Sequence, residues 1–304
     1  MTLLHLILLS LGKSTPLLLA GLGGLLSELS GVINFALEGM MLAGAFGAVW
    51  AASVSGSPWV GLLGGAMGGV FIALLHGFSS LVFRANQIVS AIALNLLAAG
   101  LSGMLLNQVF NVYGTSPAVE RLPSLGLLLP RVLSAGNGRW AESVGGLSVL
   151  VPLALTLALA TIAFFRGTAW GLNIRACGEN PLAASAAGLS VLQTRFFCLI
   201  ASGVLAGMGG AYLSIGELSQ FVEHMTQGRG YLAIAALILG RWTPVGVLLA
   251  TLFFGFCEAL SEWLAVRWTE LPHQVFLALP YLICFVVLIL RIGKRQPPSA
   301  LGQL

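Results

Sequence analysis

Nine apolar stretches fill most of this sequence, at about 3–26, 31–54, 58–82, 87–107, 146–165, 194–214, 229–241, 244–264 and 272–290. Most are long enough to cross ~30 Å of hydrocarbon as a helix rising ~1.5 Å per residue. In lipid a backbone must satisfy its own hydrogen bonds, which leaves only helices and closed barrels as spanning structures. Strand-type alternation is absent. The chain therefore reads as an all-α polytopic membrane protein of about eight to ten transmembrane helices, with one transmembrane domain over residues 1–304. Charged residues make up 8% of it, against roughly 25% in a soluble domain. An ordinary soluble enzyme is excluded, because too few polar groups exist to cover its surface.

Two runs are irregular. The stretch 229–241 is short and reads as a half-helix or a steeply packed span. The stretch 3–26 is interrupted by Lys13, Pro16, Gly21, Gly23 and Gly24. It reads as one broken helix or as a surface helix followed by a span. No positive charge precedes its apolar run, so it is expected to stay as a membrane segment and not to be removed as a signal peptide.

Charge sets the expected orientation. Arg166, Arg175 and Arg195 surround the loop at about 166–193 and place it in the cytoplasm. Arg291, Lys294 and Arg295 place the C-terminus on the same side. Four spans lie between, an even number, so the two assignments agree. The same count puts Arg84 inside and the loop 108–145 outside, although Arg121, Arg131 and Arg139 run against the bias there.

Small residues recur at helical spacing. Gly61, Gly65 and Gly69 form one stripe, and Gly203, Gly207 and Gly210 another. Such stripes let helix backbones approach closely in lipid, and packing within one subunit is favoured over a dimer seam. There is also an internal echo. GMMLAGAFG followed by Pro58 and Gly61 resembles GYLAIAALILG followed by Pro244 and Gly246. The parity count makes these two segment pairs cross in opposite senses, as in an inverted repeat.

Catalytic chemistry is not visible. Cys177, Cys198, Cys257 and Cys284 form no CxxC pair and have no metal-ligand spacing. The chain contains no Asp, no basic tract of nucleic-acid type and no Ser/His constellation. GKST at 12–15 mimics the tail of a phosphate-binding loop, but that loop needs a glycine at position 7, which is Ile7. No metal, cofactor or enzymatic activity is expected.

Two segments carry polar information. The first is GENPLAASAAG, residues 178–188. Asn180 is a favoured N-cap, Pro181 suits the first helical turn, and Gly188 is a natural stop. The result is a helix of about two turns, too short to be stable alone in water. It reads either as a structured turn or as an element that docks on something else.

The second is SELSGVINFALEG, residues 27–39. Gly31 weakens a helix here, and a break would present backbone and Asn34 to a passing polar solute. Glu38 and Asn34 are candidate pathway residues, with Phe35 able to stack on a base or sugar face. Glu28 reads first as a marker of the membrane edge. Asn95 lies inside the run 87–107 and must find a partner, as a helix bridge or as a ligand contact.

The stretch RACGENPLAASAAGLSVLQTRFFCLIASGVLAGMGGAYLS resembles the cytoplasmic coupling loop of permease subunits from ATP-binding-cassette importers. It is most similar to the group containing branched-chain amino acid, ribose and nucleoside permeases. GLLSELSGVINFALEGMMLAGAF and GRGYLAIAALILGRWTP resemble signatures of the nucleoside or simple-sugar subgroup, in the same order. Leu29 stands where that subgroup often has a basic residue, and Phe35-Ala36 replaces a smaller or aliphatic pair. The resemblance implies that Glu179, Asn180, Pro181, Ala183, Ala184 and Gly188 form a coupling helix seated in a separate ATPase subunit. It implies further partners: a second, longer permease subunit and a solute-binding protein. The cargo would be a small polar solute, with nucleosides first, simple sugars second and branched-chain amino acids third. The location would be the bacterial plasma membrane. An ATP-independent transporter or channel is the rival, with Glu38 as its ion-binding carboxylate.

Overall fold

A computed structural model describes residues 3–128, 144–268, 273–289 and 297–303. Arg131, Arg139, Arg291, Lys294 and Arg295 lie outside the described residues. Each of the nine apolar runs holds a helix. Among the described residues, seven are long and apolar enough to cross a membrane. They are α1 (Leu3–Leu29), α2 (Leu37–Ser55), α3 (Pro58–Gly77), α4 (Gln87–Phe110), α6 (Leu150–Gly167), α9 (Val191–Ala211) and α11 (Pro244–Arg267). Single π-helical turns extend α3 over Phe78–Val82 and α9 over Tyr212–Glu217. The remaining elements are α5 (Leu125–Leu128), α7 (Ala169–Glu179), α8 (Pro181–Ala186), α10 (Arg229–Leu239) and α12 (His273–Ile289).

The first run is neither broken nor divided. α1 is one helix with Pro16 inside it. Proline removes one backbone donor, yet the helix continues through it. Ser14 Oγ and Thr15 Oγ1 both donate to Leu11 O, at 2.9 and 2.8 Å. The second run is the one that breaks. Gly31 takes φ +98, and α2 begins only at Leu37.

The glycine stripes face each other within the chain. Gly65, Gly69, Gly203, Gly207 and Gly210 line a seam where α3, α9 and α2 meet. A Cβ on Gly69 would lie 2.1 Å from Gly203 O, and one on Gly210 would lie 1.8 Å from Met41 O. The stripes thus act in intrachain packing.

The echo between the two halves has a structural counterpart. α1, a break, α2 and α3 follow one another; so do α9, a break, α10 and α11. α1 packs on α11, and α9 packs on α3, as a swap of the two sets requires. α2 and α10 start close together and run apart. The far end of α2 meets Gly61, whereas α10 ends near Glu28, where Trp242 Nε1 donates to the carboxylate at 2.6 Å.

The ends of the bundle are distinct. At one end, residues 299–303 lie against α7, α9 and the α1–α2 break. Ala300 N–H donates to Gly178 O, and Gly302 N–H to Gly31 O, both at 3.0 Å. Buried Arg195 donates to Ser30 O at 3.1 Å and to Gln303 O at 2.8 Å. The described C-terminal residues and the GENP segment therefore share one end, as the parity count requires. Toward the other end, Lys13 bridges Glu217 at 2.6 Å and Glu262 at 3.1 Å.

Candidate functional site

Two helix N-termini meet inside the bundle, and one carboxylate sits between them. Glu38 lies in the first turn of α2. Its Oε1 accepts from Thr226 Oγ1 at 2.6 Å and from Gly228 N–H at 2.8 Å. Its Oε2 accepts from Gly230 N–H at 2.7 Å. Helix N-termini carry unsatisfied N–H groups and partial positive charge, so a carboxylate at their junction neutralises both. The approach needs glycine: a Cβ on Gly230 would lie 2.4 Å from Glu38 N.

Asn95 closes the same junction from α4. Its Oδ1 accepts from Gly39 N–H at 2.8 Å. Its Nδ2 donates to Phe35 O and to Tyr231 Oη, both at 2.9 Å. Every hydrogen-bonding atom of this buried amide has a partner, so Asn95 bridges α2, the break and α10. Asn34 is fully buried and donates to Ser202 Oγ on α9 at 2.9 Å. Its Oδ1 has no partner among the described residues. Phe35 is half-buried against the main core.

The break is held from outside by residues that belong to no motif in the sequence. Ile33 N–H donates to Gln87 Oε1 at 2.7 Å. His76 reaches Ile33 O through Nε2 and Ser90 Oγ through Nδ1, each at 3.1 Å. His76, Gln87, Ser202 and Tyr231 come from four separate helices, and Thr226 from the turn before α10. Only the polar character of Gln87 and His76 inside apolar runs could have flagged them. The structure thus brings Asn34, Phe35, Glu38 and Asn95 together at one irregular segment.

The GENP segment folds as its residues dictate. Asn180 Oδ1 accepts from Ala183 N–H at 3.0 Å, and Pro181 occupies the first turn of α8. The helix closes with Gly188 at φ +86, and Leu189 N–H returns to Ala184 O at 3.0 Å. This is the left-handed stop that glycine allows without a steric penalty. Asn180, Ala183 and Gly188 are exposed and Pro181 is partly so. Ala184 is not: it is 3% exposed and turns inward. Glu179 is engaged by the C-terminal residues, accepting from Ser299 Oγ at 2.8 Å. The large apolar side chain of the segment, Leu182, is 83% exposed. It falls within the segment but outside the residues carried over from the family resemblance.

Among the described residues no cluster of His, Cys, Asp or Glu has the form of a metal site. Comparison with known proteins identifies the architecture. A family model described as the permease component of branched-chain amino acid transport systems matches residues 6–290. The chain belongs to this permease family. Relatives of the permease extend over nearly all of it. It is 33% identical to the guanosine ABC transporter permease protein NupQ of Bacillus subtilis, over 95% of this chain and 92% of the relative. It is 34% identical to the nucleoside ABC transporter permease protein NupC of Lactococcus lactis, with the same coverage of 95% and 92%. The putative glucose ABC transporter permease protein TsgC13 of Haloferax volcanii is 33% identical over 82% of this chain and 74% of its own. The permease is a multi-pass membrane protein, and its relatives are transport subunits.

Proposed function

We propose that this permease is the membrane subunit of an ATP-binding-cassette importer for nucleosides, with simple sugars as the second cargo. The observation that carries the reading is α8: a capped, short helix whose outer face, led by Leu182, is free for a partner. A two-turn helix is stable only when docked. Its inner side rests on this chain, and its outer side suits a groove on a separate ATPase subunit, where ATP is hydrolysed. Residues 166–193 form the coupling loop of the single transmembrane domain. The basic residues around it support a cytoplasmic face for this end, including the C-terminus, in a bacterial plasma membrane. Two permeases, here with a longer paralogue, form the pathway, and a solute-binding protein delivers cargo. The relatives named as guanosine and nucleoside permeases support the choice of cargo.

The ATP-independent rival needs a carboxylate free to bind an ion. Glu38 accepts three hydrogen bonds at 2.6–2.8 Å, which favours a structural role. Branched-chain amino acids are the remaining alternative cargo. Reconstitution in liposomes with the ATPase, the paired permease and the binding protein tests the reading. Guanosine uptake is expected to need ATP and all subunits. Uptake that persists in vesicles lacking the ATPase refutes it.

A further inference from the structure

Between α9 and α10 the chain turns back into the protein without forming a helix. Tight turns follow one another: Met225 N–H to Val222 O at 3.1 Å, Gln227 N–H to His224 O at 3.0 Å, and Arg229 N–H to Thr226 O at 2.9 Å. His224 and Gln227 take φ +57 and +47. Side-chain-bearing residues hold that conformation only where surrounding contacts impose it, and such residues gather at functional sites. Here Glu223 N–H is held by Gly114 O at 2.9 Å, and Phe221 N–H by Ser116 Oγ at 2.9 Å. Glu38 holds the segment from the other side.

Depth follows from geometry. α10 has 11 residues, a rise of roughly 16 Å at ~1.5 Å per residue. Starting from the α8 end, that is about half of a ~30 Å hydrocarbon layer. The turns thus lie near mid-membrane, and what they present outward is polar. His224 and Gln227 are exposed. Tyr231 and Tyr281 are 44% and 43% exposed. Both rings flank Gly228, where a Cβ would lie 3.9 Å from ring carbons of each. Tyr281 Oη donates to Gln227 O at 2.5 Å, and Tyr231 Oη is fixed by Asn95. Irregular backbone carrying polar side chains is not tolerated against lipid chains. At this depth it lines a water-filled cavity or is covered by protein.

We infer that His224, Gln227, Tyr231 and Tyr281 form a solute-contact face of the transport pathway, built for an uncharged polar ring compound of nucleoside type. The inference deepens the importer reading and rests on it for the cargo. Two fixed phenol rings offer flat faces to a base. The Gln227 amide and the His224 imidazole supply both donors and acceptors to its edge or to ribose hydroxyls. Neither side chain makes a hydrogen bond that would have to be broken first among those found in the described structure.

The test uses the assembled importer in liposomes, with Cys177, Cys198, Cys257 and Cys284 replaced by Ser and either Gln227→Cys or His224→Cys added. A charged, membrane-impermeant thiol reagent is expected to modify both positions, with guanosine slowing the reaction severalfold and leucine leaving it unchanged. Absence of modification at both positions in an importer that still takes up guanosine overturns the face. So does modification that guanosine fails to slow while uptake continues. Protection by glucose in place of guanosine overturns the nucleoside assignment. Failure of guanosine uptake in the cysteine-free parent that retains glucose uptake overturns the cargo reading and, with it, the nucleoside face. A second pair keeps the stacking claim separate from the structural link to Asn95. Tyr231→Phe deletes the hydroxyl that Asn95 holds and keeps the ring; Tyr231→Leu removes both. The guanosine KM should rise about fivefold for Leu and little for Phe. Equal effects from the two overturn the stacking role.

Discussion

Removing the Glu38 carboxylate is expected to loosen the junction on which both half-bundles depend. Glu38→Ala deletes the acceptors of three hydrogen bonds, to Thr226 Oγ1, Gly228 N–H and Gly230 N–H. Thr226 can turn its hydroxyl elsewhere, but the two backbone donors at the start of α10 cannot move. Bonds between helices in a membrane contribute about 0.6 kcal/mol on average, and bonds to a charged acceptor contribute ~1.5–3 kcal/mol each. Three of them give between about 2 and 9 kcal/mol. Glu38→Gln keeps one acceptor oxygen and turns an amide N–H₂ toward one of the donors, so it should fall between wild type and Ala. Reversible unfolding in a single detergent, followed by tryptophan fluorescence, measures the order. A loss below about 1 kcal/mol for Glu38→Ala, or Gln less stable than Ala, refutes the idea that this carboxylate clasps the two N-termini.

Three further outcomes are expected. Gly210→Ala should abolish accumulation of folded permease, because the new Cβ would sit 1.8 Å from Met41 O; wild-type yield after detergent extraction would contradict the seam. Leu182→Glu should keep the permease's thermal midpoint while abolishing co-purification of the ATPase, whereas Ala184→Trp should lower the midpoint itself, since Ala184 faces inward. Arg195→Ala leaves Ser30 O and Gln303 O without their buried donor, at a cost of about 1–3 kcal/mol for each unsatisfied group; protease release of the C-terminal residues should quicken, and unchanged kinetics would refute the fastening.

Local features were readable from the residues alone. The cap and stop of α8 depend on neighbours within a few positions, so Asn180, Pro181 and Gly188 specify them directly. The interruption at Gly31 was legible for the same reason, because a left-handed glycine opens the helix wherever it sits. Pro16 weakens a helix in isolation, so the run 3–26 reads as broken; packing of α1 along α11 and α9 holds it as one helix. Glu38 stood out as a carboxylate in an apolar setting, but its partners are 188 to 192 residues further along. No pattern in one sequence ties positions so distant.

The sequence alone settled that the chain is an all-helical membrane protein and which short segment carries the cap and stop of a two-turn helix. Hydropathy and capping act over one helix length, so they are written locally. Only the folded bundle decided what each polar residue does. It turned Asn95 into a bridge, buried Ala184, exposed Leu182, and left His224 and Gln227 exposed between α9 and α10. Those outcomes depend on which helix lies alongside which, and close backbone approach at the glycine seam fixes that arrangement in three dimensions.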